Sequence, residues 1–515
     1  MQPLKMSIMA LLSGLPLFGG TAGASSTLFW GGTIVGFNND TNSLAVYRNG
    51  SILVENDRIA AIHEKTQSKD EAGDGVEVID VTGQILTPGF IDTHRHGWQT
   101  ALKTLGSNTS LAEYFGRYSS PASGADFRAE DVYIGQLAGI YEALNAGVTT
   151  MVDHAHHTWS NETSWAGLNA SAESGARVFW CYAFENTRNA EGPRTVVEQL
   201  ANFRAMINSE GWKSSATEIG IAYDSWGPRP DVEERGKVMK LATEFDVPVI
   251  TTHSLGGPWG VTNMPSDLAE LDILKGDIPI IFSHASFLSP NDRDLLRQNN
   301  HYVSITPESE MHYGHTHPHS YLIQDQAALG VDTHFTFSTD ILTQARIWLQ
   351  STRYRLFSQV IENWKIPRNT PETVNQAFLL ATRNGGLALR RHDLGVLNKG
   401  AKADLIVWNA RESPALLGWN DPVAAVMLHA SVGDILDVMV DGKFVKKGGR
   451  LVVEGYDEVR ERFIASAKRL QEVWAAKDYP VLEGQWMAGG SEFADTMKVD
   501  VVSGQGNGYG ELFVE

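Results

Sequence analysis

Short apolar runs broken by Gly, Asn and Asp open the readable part of the chain. "TLFWGGTIVGF", "SILVENDRIAAIHE" and "VEVIDVTGQILTPGF" predict β-strands and hairpins. The rhythm then changes. "AEDVYIGQLAGIYEALNAG" has helical spacing, with Asp131 in its first turn and Gly147 as its stop, and "VTTMVDH" follows as a β-branched strand. The alternation recurs through "ARVFWCYAF", "EIGIAYDS", "VPVITTHS", "IPIIFSHA", "HYVSITPE" and "THFTFSTD", with helical or loop segments between them. Strand–helix repetition over about 300 residues predicts parallel strands joined by crossover helices. Phe90, Thr149, Val178, Ile219, Val249, Ile280, Tyr302 and Phe335 mark eight strands, the number that closes a (β/α)₈ TIM-type barrel of the α/β class. A doubly wound open sheet is the rival topology, but the Gly-rich phosphate loop it often carries is missing.

Beyond the barrel, "LGVLNKGAKADLIVWNA" and "ILDVMVDGKFVKKGGRLV" return to strands and hairpins, with an Asp-Gly turn at Asp441–Gly442. The β-rich flanks, 25–86 and 395–455, are expected to fold together as a β-sandwich beside a barrel spanning 87–394. Residues 456–515 supply a C-terminal helix, "YDEVRERFIASAKRLQEVWAAK", and a tail. Residues 1–24 read as a signal peptide: Lys5 gives a positive start, "MSIMALLSGLPLF" an apolar core, and Ala22–Ala24 a small-residue cleavage site.

A chain of 515 residues with 42% hydrophobic and 20% charged residues can bury a large core. Its formal charge of −19 argues against nucleic acid or an anionic membrane as partner. Past the leader no apolar run reaches the ~18 residues of a membrane span. Cys181 is the only cysteine, so no internal disulfide can form. Asn39, Asn49, Asn108, Asn161 and Asn169 head N-x-[ST] sequons, compatible with a secreted glycoprotein.

The chemistry starts from "PGFIDTHRHGWQT". Residues i and i+2 of an extended segment point the same way, so His94 and His96 project together from the C-terminal end of the first strand, the barrel face where active sites are built. The ends of three later strands add His253 in "ITTHS", His284 in "FSHA" and Asp340 in "FSTD". An isolated H-x-H among 16 histidines is usually an ordinary surface or loop pair. Joined to His and Asp at further strand ends, it points to a divalent metal, Zn²⁺ above all.

"TPGFIDTHRH", "SHA", "FSTD" and "GAKADLIVW" together resemble the amidohydrolase superfamily, and more narrowly its branch of atrazine chlorohydrolase, S-adenosylhomocysteine deaminase and cytosine deaminase-like proteins. The resemblance runs from about Ser51 to Val453 and implies a (β/α)₈ barrel with a β-sandwich built from both flanks. It also implies one metal held by His94, His96, His253 and Asp340, with His284 beside the metal-activated water. Two-metal relatives carry a lysine on strand four; "EIGIAYDSWGP" has none, which favours one ion, Zn²⁺ or else Fe²⁺ or Mn²⁺. Asp340 is then the proton acceptor, and His284 orients water or stabilises a developing oxyanion. Deaminases of this branch have His-x-x-Glu on strand five; here the stretch is His253-Ser-Leu-Gly256. Glu308 or Glu310 in "ITPESEM" is a candidate replacement for the missing carboxylate, a loop or salt-bridge role being the plainer alternative.

Trp98 and Gln99 follow the histidine pair and are candidate substrate contacts, as is His156 in "DHAHHTWS", where His154 and His157 also lie. Asp224 and Trp226 at the end of strand four are as readily packing residues as pocket ones. "HYGHTHPHS" (His312, His315, His317, His319) resembles a metal-binding tract but reads more plainly as a loop over the barrel mouth, of which His315 is a candidate substrate contact. The resulting expectation is a secreted hydrolase that uses one metal to attack a non-peptide C–N bond of a small molecule: a cyclic amide, an amidine or an exocyclic amine. A lyase such as a decarboxylase on the same fold, and a non-catalytic scaffold, are the alternatives. Relatives of this kind are often homo-oligomers.

Overall fold

The computed structural model describes residues 26–65, 75–227, 232–486 and 490–496. The expected leader, residues 1–24, and the end of the tail lie outside the described residues.

Eight parallel strands form the central sheet: β1 (Phe90–Arg95), β2 (Val148–Ala155), β3 (Arg177–Phe184), β4 (Glu218–Tyr223), β5 (Ile250–Ser254), β6 (Ile280–His284), β7 (Tyr302–Ile305) and β8 (Ala327–Leu329). Each pairs with its neighbour in chain order. β2 and β3 are buried along their whole length, as strands covered on both faces must be, which explains their near-continuous apolar runs.

The first seven strands fall where the hydrophobic pattern puts them. The eighth does not. Phe335 sits in a turn, and the strand is the three-residue Ala327–Leu329. The barrel closes just beyond it, where Val331 and Asp332 both donate their N–H to the His94 carbonyl, at 3.0 and 2.8 Å, and Asp332 bridges Arg95 in parallel register. Gly330 makes this approach possible, since a Cβ there would lie 2.9 Å from both His94 N and His94 O.

The flanks meet in a nine-stranded sheet. Its seam is Ile85–Pro88 against Leu405–Trp408, antiparallel, with Trp408 Nε1 donating to Thr87 Oγ1 at 2.9 Å. Phe29, Ile34, Ile52, Leu86, Leu405 and Met439 form its own apolar core. Helix Ala129–Asn145 begins on a cap in which Asp131 accepts the Arg128 N–H at 2.9 Å, and it stops at Gly147, φ +81°. Asp131 also takes the Ser466 hydroxyl at 2.6 Å and pairs with Arg469, so the C-terminal helix Tyr456–Ala475 docks on the barrel. The chain after that helix does not drift away: Trp486 Nε1 donates to the Trp259 carbonyl at 2.9 Å, and its ring reaches the barrel mouth.

Candidate active site

His94 at the end of β1 and His96 just past it lie side by side, ring centroids 4.8 Å apart. His253 ends β5 one residue from its terminus, and His284 is the last residue of β6. The backbone of His284 is turned to φ +69°, a conformation non-glycine residues hold only where the surrounding structure enforces it. Ligand atoms of His94, His253, His284 and Asp332 all lie within 4.8 Å of one another. His96 Nε2 is 3.1 Å from Asp332 Oδ1 and 3.3 Å from His253 Nε2.

The hydrogen bonds behind these rings fix which nitrogen faces inward. His96 Nδ1 donates to the His154 carbonyl at 2.9 Å, His253 Nδ1 to Asp224 Oδ2 at 2.7 Å, and His94 Nδ1 lies 2.8 Å from Ser283 Oγ. The carbonyl and the carboxylate can only accept, so the Nε2 atoms of neutral His96 and His253 turn unprotonated lone pairs inward, and His94 Nε2 does the same when Ser283 Oγ accepts from its Nδ1. His94 Nε2 is buried without a hydrogen-bond partner. Burial pushes His94 well below the usual imidazole range and His284 down to about 4. Burial works against ionisation of Asp332 as well, but the His94 and His96 rings beside it outweigh this and hold its carboxyl well below the usual carboxylate range. Three imidazole lone pairs and an ionised carboxylate oxygen thus converge in a buried space, the donor set of a divalent cation such as Zn²⁺. The residues fit the metal that the sequence implies.

Asp340 does not take the place expected of it. Its carboxylate caps helix Ile341–Ile361, accepting the Thr343 N–H and the hydroxyls of Ser338 and Thr343, both at 2.9 Å. The strand-eight carboxylate at the cluster is Asp332. The error follows from the misplaced strand: "FSTD" reads as a strand end, whereas its Asp is a helix start.

A cavity of about 390 Å³ opens over the cluster, lined by His96, His253, His284 and Asp332 and, on its walls, by His156, Glu185, Asp224 and His315 among others. His156 stands on the cavity wall. Trp98 Nε1 donates to His156 Nδ1 at 2.9 Å, so the neutral His156 ring carries its proton on Nε2. Trp98 itself is fully buried behind that ring, and Gln99 donates to Tyr114 Oη and the Tyr118 carbonyl; neither lines the cavity. Glu308 is held by Gln344 Nε2 at 2.9 Å, away from the cavity wall. Glu310 is buried behind His284: it accepts the Thr306 N–H at 2.9 Å, and Thr306 Oγ1 stands 2.9 Å from His284 Nδ1. Neither glutamate lines this cavity. Two carboxylates not foreseen in these roles do sit at strand ends. Asp224, one residue past β4, orients His253 and lies 3.4 Å from His154 Nε2. Glu185, one residue past β3, lines the cavity.

The geometry, a (β/α)₈ barrel whose C-terminal rim gathers His-x-His with strand-five and strand-six histidines and a strand-eight aspartate, defines a class of metal-dependent barrel proteins. Residues 85–445 match the model of the Amidohydrolase family, and the chain belongs to that family. It is 26% identical over 439 residues to 5'-deoxyadenosine deaminase of Methanosarcina acetivorans, covering 82% of this chain and 94% of that one. It is 25% identical over 424 residues to 5-methylthioadenosine/S-adenosylhomocysteine deaminase of Pyrococcus horikoshii, covering 80% and 94%. Among solved structures, atrazine chlorohydrolase from Arthrobacter aurescens complexed with zinc superposes with a TM-score of 0.71 at 16% identity, covering 86% of this chain and 100% of that one. An adenosine deaminase from Xanthomonas campestris with bound zinc gives 0.71 at 16%, covering 87% and 99%.

Proposed function

We propose that this protein is a hydrolase using one divalent cation, Zn²⁺ first, to cleave a non-peptide C–N bond of a small nitrogen heterocycle, with an exocyclic amine as the leaving group. The observation that carries this reading is the convergence of the His94, His96 and His253 Nε2 atoms on the Asp332 carboxylate under a cavity sized for one heterocyclic ring system. The deaminase relatives named above support the leaving group.

His94, His96, His253 and Asp332 would hold the cation, and bound there it supplies Lewis acidity at neutral pH. The other steps belong to the protein. Asp332 Oδ2, 3.9 Å from His284 Nε2, is placed to accept a proton from the attacking water. Thr306 passes its hydroxyl proton toward Glu310 Oε1 at 3.3 Å and accepts from His284 Nδ1, which leaves His284 Nε2 bare to orient water or take a proton. The Nε2–H of His156 offers a fixed, neutral donor to an acceptor on the substrate ring. Leu111, Leu255 and Tyr313 supply apolar wall.

Export to a secretory compartment rests on the leader read in residues 1–24 and on five sequons whose asparagines are all exposed. Among the described residues no helix is long and apolar enough to cross a membrane.

The test is metal analysis of the purified protein followed by a screen of aminopurines, aminopyrimidines, aminotriazines and cyclic amides against zinc-loaded enzyme, read by ammonia release for the amines and by ring opening for the cyclic amides. One zinc per chain with ammonia release from an amino-heterocycle is expected. Carbon dioxide release without hydrolysis would move the protein to the lyases, and a preparation that binds none of Zn²⁺, Fe²⁺ and Mn²⁺ would leave a scaffold.

A further inference from the structure

The strand-five position that carries a glutamate in deaminases of this branch is Gly256, and its backbone, φ +67° and ψ −158°, lies where essentially only glycine goes. A side chain there is strained, so the loop as built disfavours a carboxylate at this position, yet a departing amine needs a proton. Among the described residues the cavity wall carries three carboxyl groups, those of Glu185, Asp224 and Asp332. Asp332 and Asp224 are committed to the histidine cluster, and Glu308 and Glu310 do not line the cavity.

We infer that Glu185, one residue past the end of β3 on the cavity wall, is the acid that protonates the departing nitrogen. This rests on the C–N hydrolase reading above. Its main chain is pinned by Gln199, whose amide donates to the Glu185 carbonyl at 2.5 Å while its Oε1 accepts the Glu185 N–H at 3.4 Å. Its Oε1 is bonded to Ser120 Oγ, which also accepts from Trp159 Nε1 at 3.1 Å. With Trp159 filling that lone pair, the Ser120 hydroxyl orients one carboxyl oxygen and leaves Oε2 without a hydrogen bond from the described residues. Glu185 shares the cavity wall with His156, His253 and Asp332, so a heterocycle seated over the cluster lies between the attacking water and this carboxyl. Burial pushes the group up to about 8; the Ser120 hydrogen bond and the His253 charge oppose this and the Asp224 charge adds to it, so in the metal-free protein the carboxyl favours its protonated form at neutral pH.

The step balances. Water's oxygen bonds to the ring carbon, and one of its protons passes through Asp332 to the adjacent ring nitrogen. As the C–N bond breaks, its electron pair stays with the amino nitrogen, which takes the Glu185 proton and leaves as ammonia. The second water proton, lost from the new C–OH as it becomes C=O, returns to Glu185.

The test compares Glu185→Gln with the wild type, both zinc-loaded and matched in metal content, on a pair of heterocycles that differ only in amino or chloro as leaving group. Chloride needs no proton. The variant is expected to lose at least ~100-fold in kcat on the amino compound and less than about 10-fold on the chloro one, and to lose the alkaline limb of the wild-type kcat/KM profile. Equal losses on both compounds, or no loss on the amino compound, overturns the assignment. Infrared difference spectra of the metal-free protein give a second readout: a protonated carboxyl C=O band at pH 7, absent in Glu185→Gln. Should the wild type convert neither compound, the hydrolase reading fails on that result alone. An ionised Glu185 in the infrared spectra would then overturn the acid role separately.

Discussion

His96 Nε2 and His253 Nε2 face each other across 3.3 Å, each on a ring whose Nδ1 proton is already engaged, by the His154 carbonyl and by Asp224. Two bare lone pairs at that separation repel, so either a proton or a cation must stand between them. Burial disfavours charge on His253, but the Asp224 carboxylate beside it outweighs burial and raises its pKa above the ordinary value. In the metal-free protein His253 therefore takes up a proton more readily than an ordinary imidazole does.

Zinc binding should expel that proton. Calorimetric titration at a pH below the His253 pKa, repeated in buffers of different ionisation enthalpy, is expected to show about one proton released per zinc. Zinc affinity should fall about tenfold for each pH unit below that pKa and level off above it. Asp224→Asn removes the charge that raises the pKa and should abolish the release near neutrality. A zinc affinity independent of pH in the wild type would contradict this picture.

Asp332 and Asp340 separate cleanly. Asp332→Asn should reduce bound zinc well below one per chain and turnover by more than about 100-fold, since a buried carboxylate within 3.1–3.3 Å of two imidazole nitrogens is lost. Asp340→Ala removes only a helix cap, worth ~1 kcal/mol in urea unfolding, and should keep its zinc. Metal analysis of the two variants side by side decides which aspartate belongs to the site.

How far the sequence could be read is set by how long each strand is. β2 and β3 run eight residues with both faces buried, so their apolar runs are unmistakable. β8 has three residues, Ala-Ala-Leu, too few to show a period and without a β-branched side chain. The alternating "HFTF" that follows imitates a strand while forming a turn. The histidines were legible because each ends a strand of four residues or more. The rule that barrel chemistry sits at strand ends also marks Glu185 after "YAF" and, once β8 is placed, Asp332 after "AALGV". What it cannot give is which side chain stands behind another. Trp98 and Glu310 lie next to site residues in sequence or space, yet they act on His156 and His284 from the rear.

Gly256 makes a third prediction, because an attempt to restore the family's strand-five acid should fail. A side chain at φ +67° is strained by about 1–3 kcal/mol, and a Cβ there would stand 3.3 Å from Met264 Sδ and 3.5 Å from Phe287 Cβ. Gly256→Glu is expected to lower the unfolding midpoint without raising ammonia release, while Gly256→Ala shows the same backbone cost without the carboxylate. A gain in deaminase turnover in Gly256→Glu would show that the loop can rearrange to seat the acid.

Glu185 also leaves a signature in stability. An ordinary glutamate releases its proton near 4.5 in the unfolded chain, whereas in the folded protein burial holds it to about 8. Between these values the folded state binds more protons than the unfolded one, so raising the pH through this window destabilises the protein. Below 4.5 both states are protonated and the effect vanishes; above 8 both are ionised and the full cost of a buried carboxylate remains. Asp92, Glu308 and Glu310, each raised to about 7 by burial, tilt the profile the same way, so the informative quantity is the difference between the wild type and Glu185→Gln. Glutamine cannot ionise and keeps the shape needed to meet Ser120. Urea unfolding of the metal-free proteins at a series of pH values should show Glu185→Gln gaining on the wild type steadily from about pH 4.5 to about pH 8, with no further gain beyond. A constant difference across that range would mean that Glu185 ionises in the folded protein as it does in water, and its use as a proton donor at neutral pH would go with it.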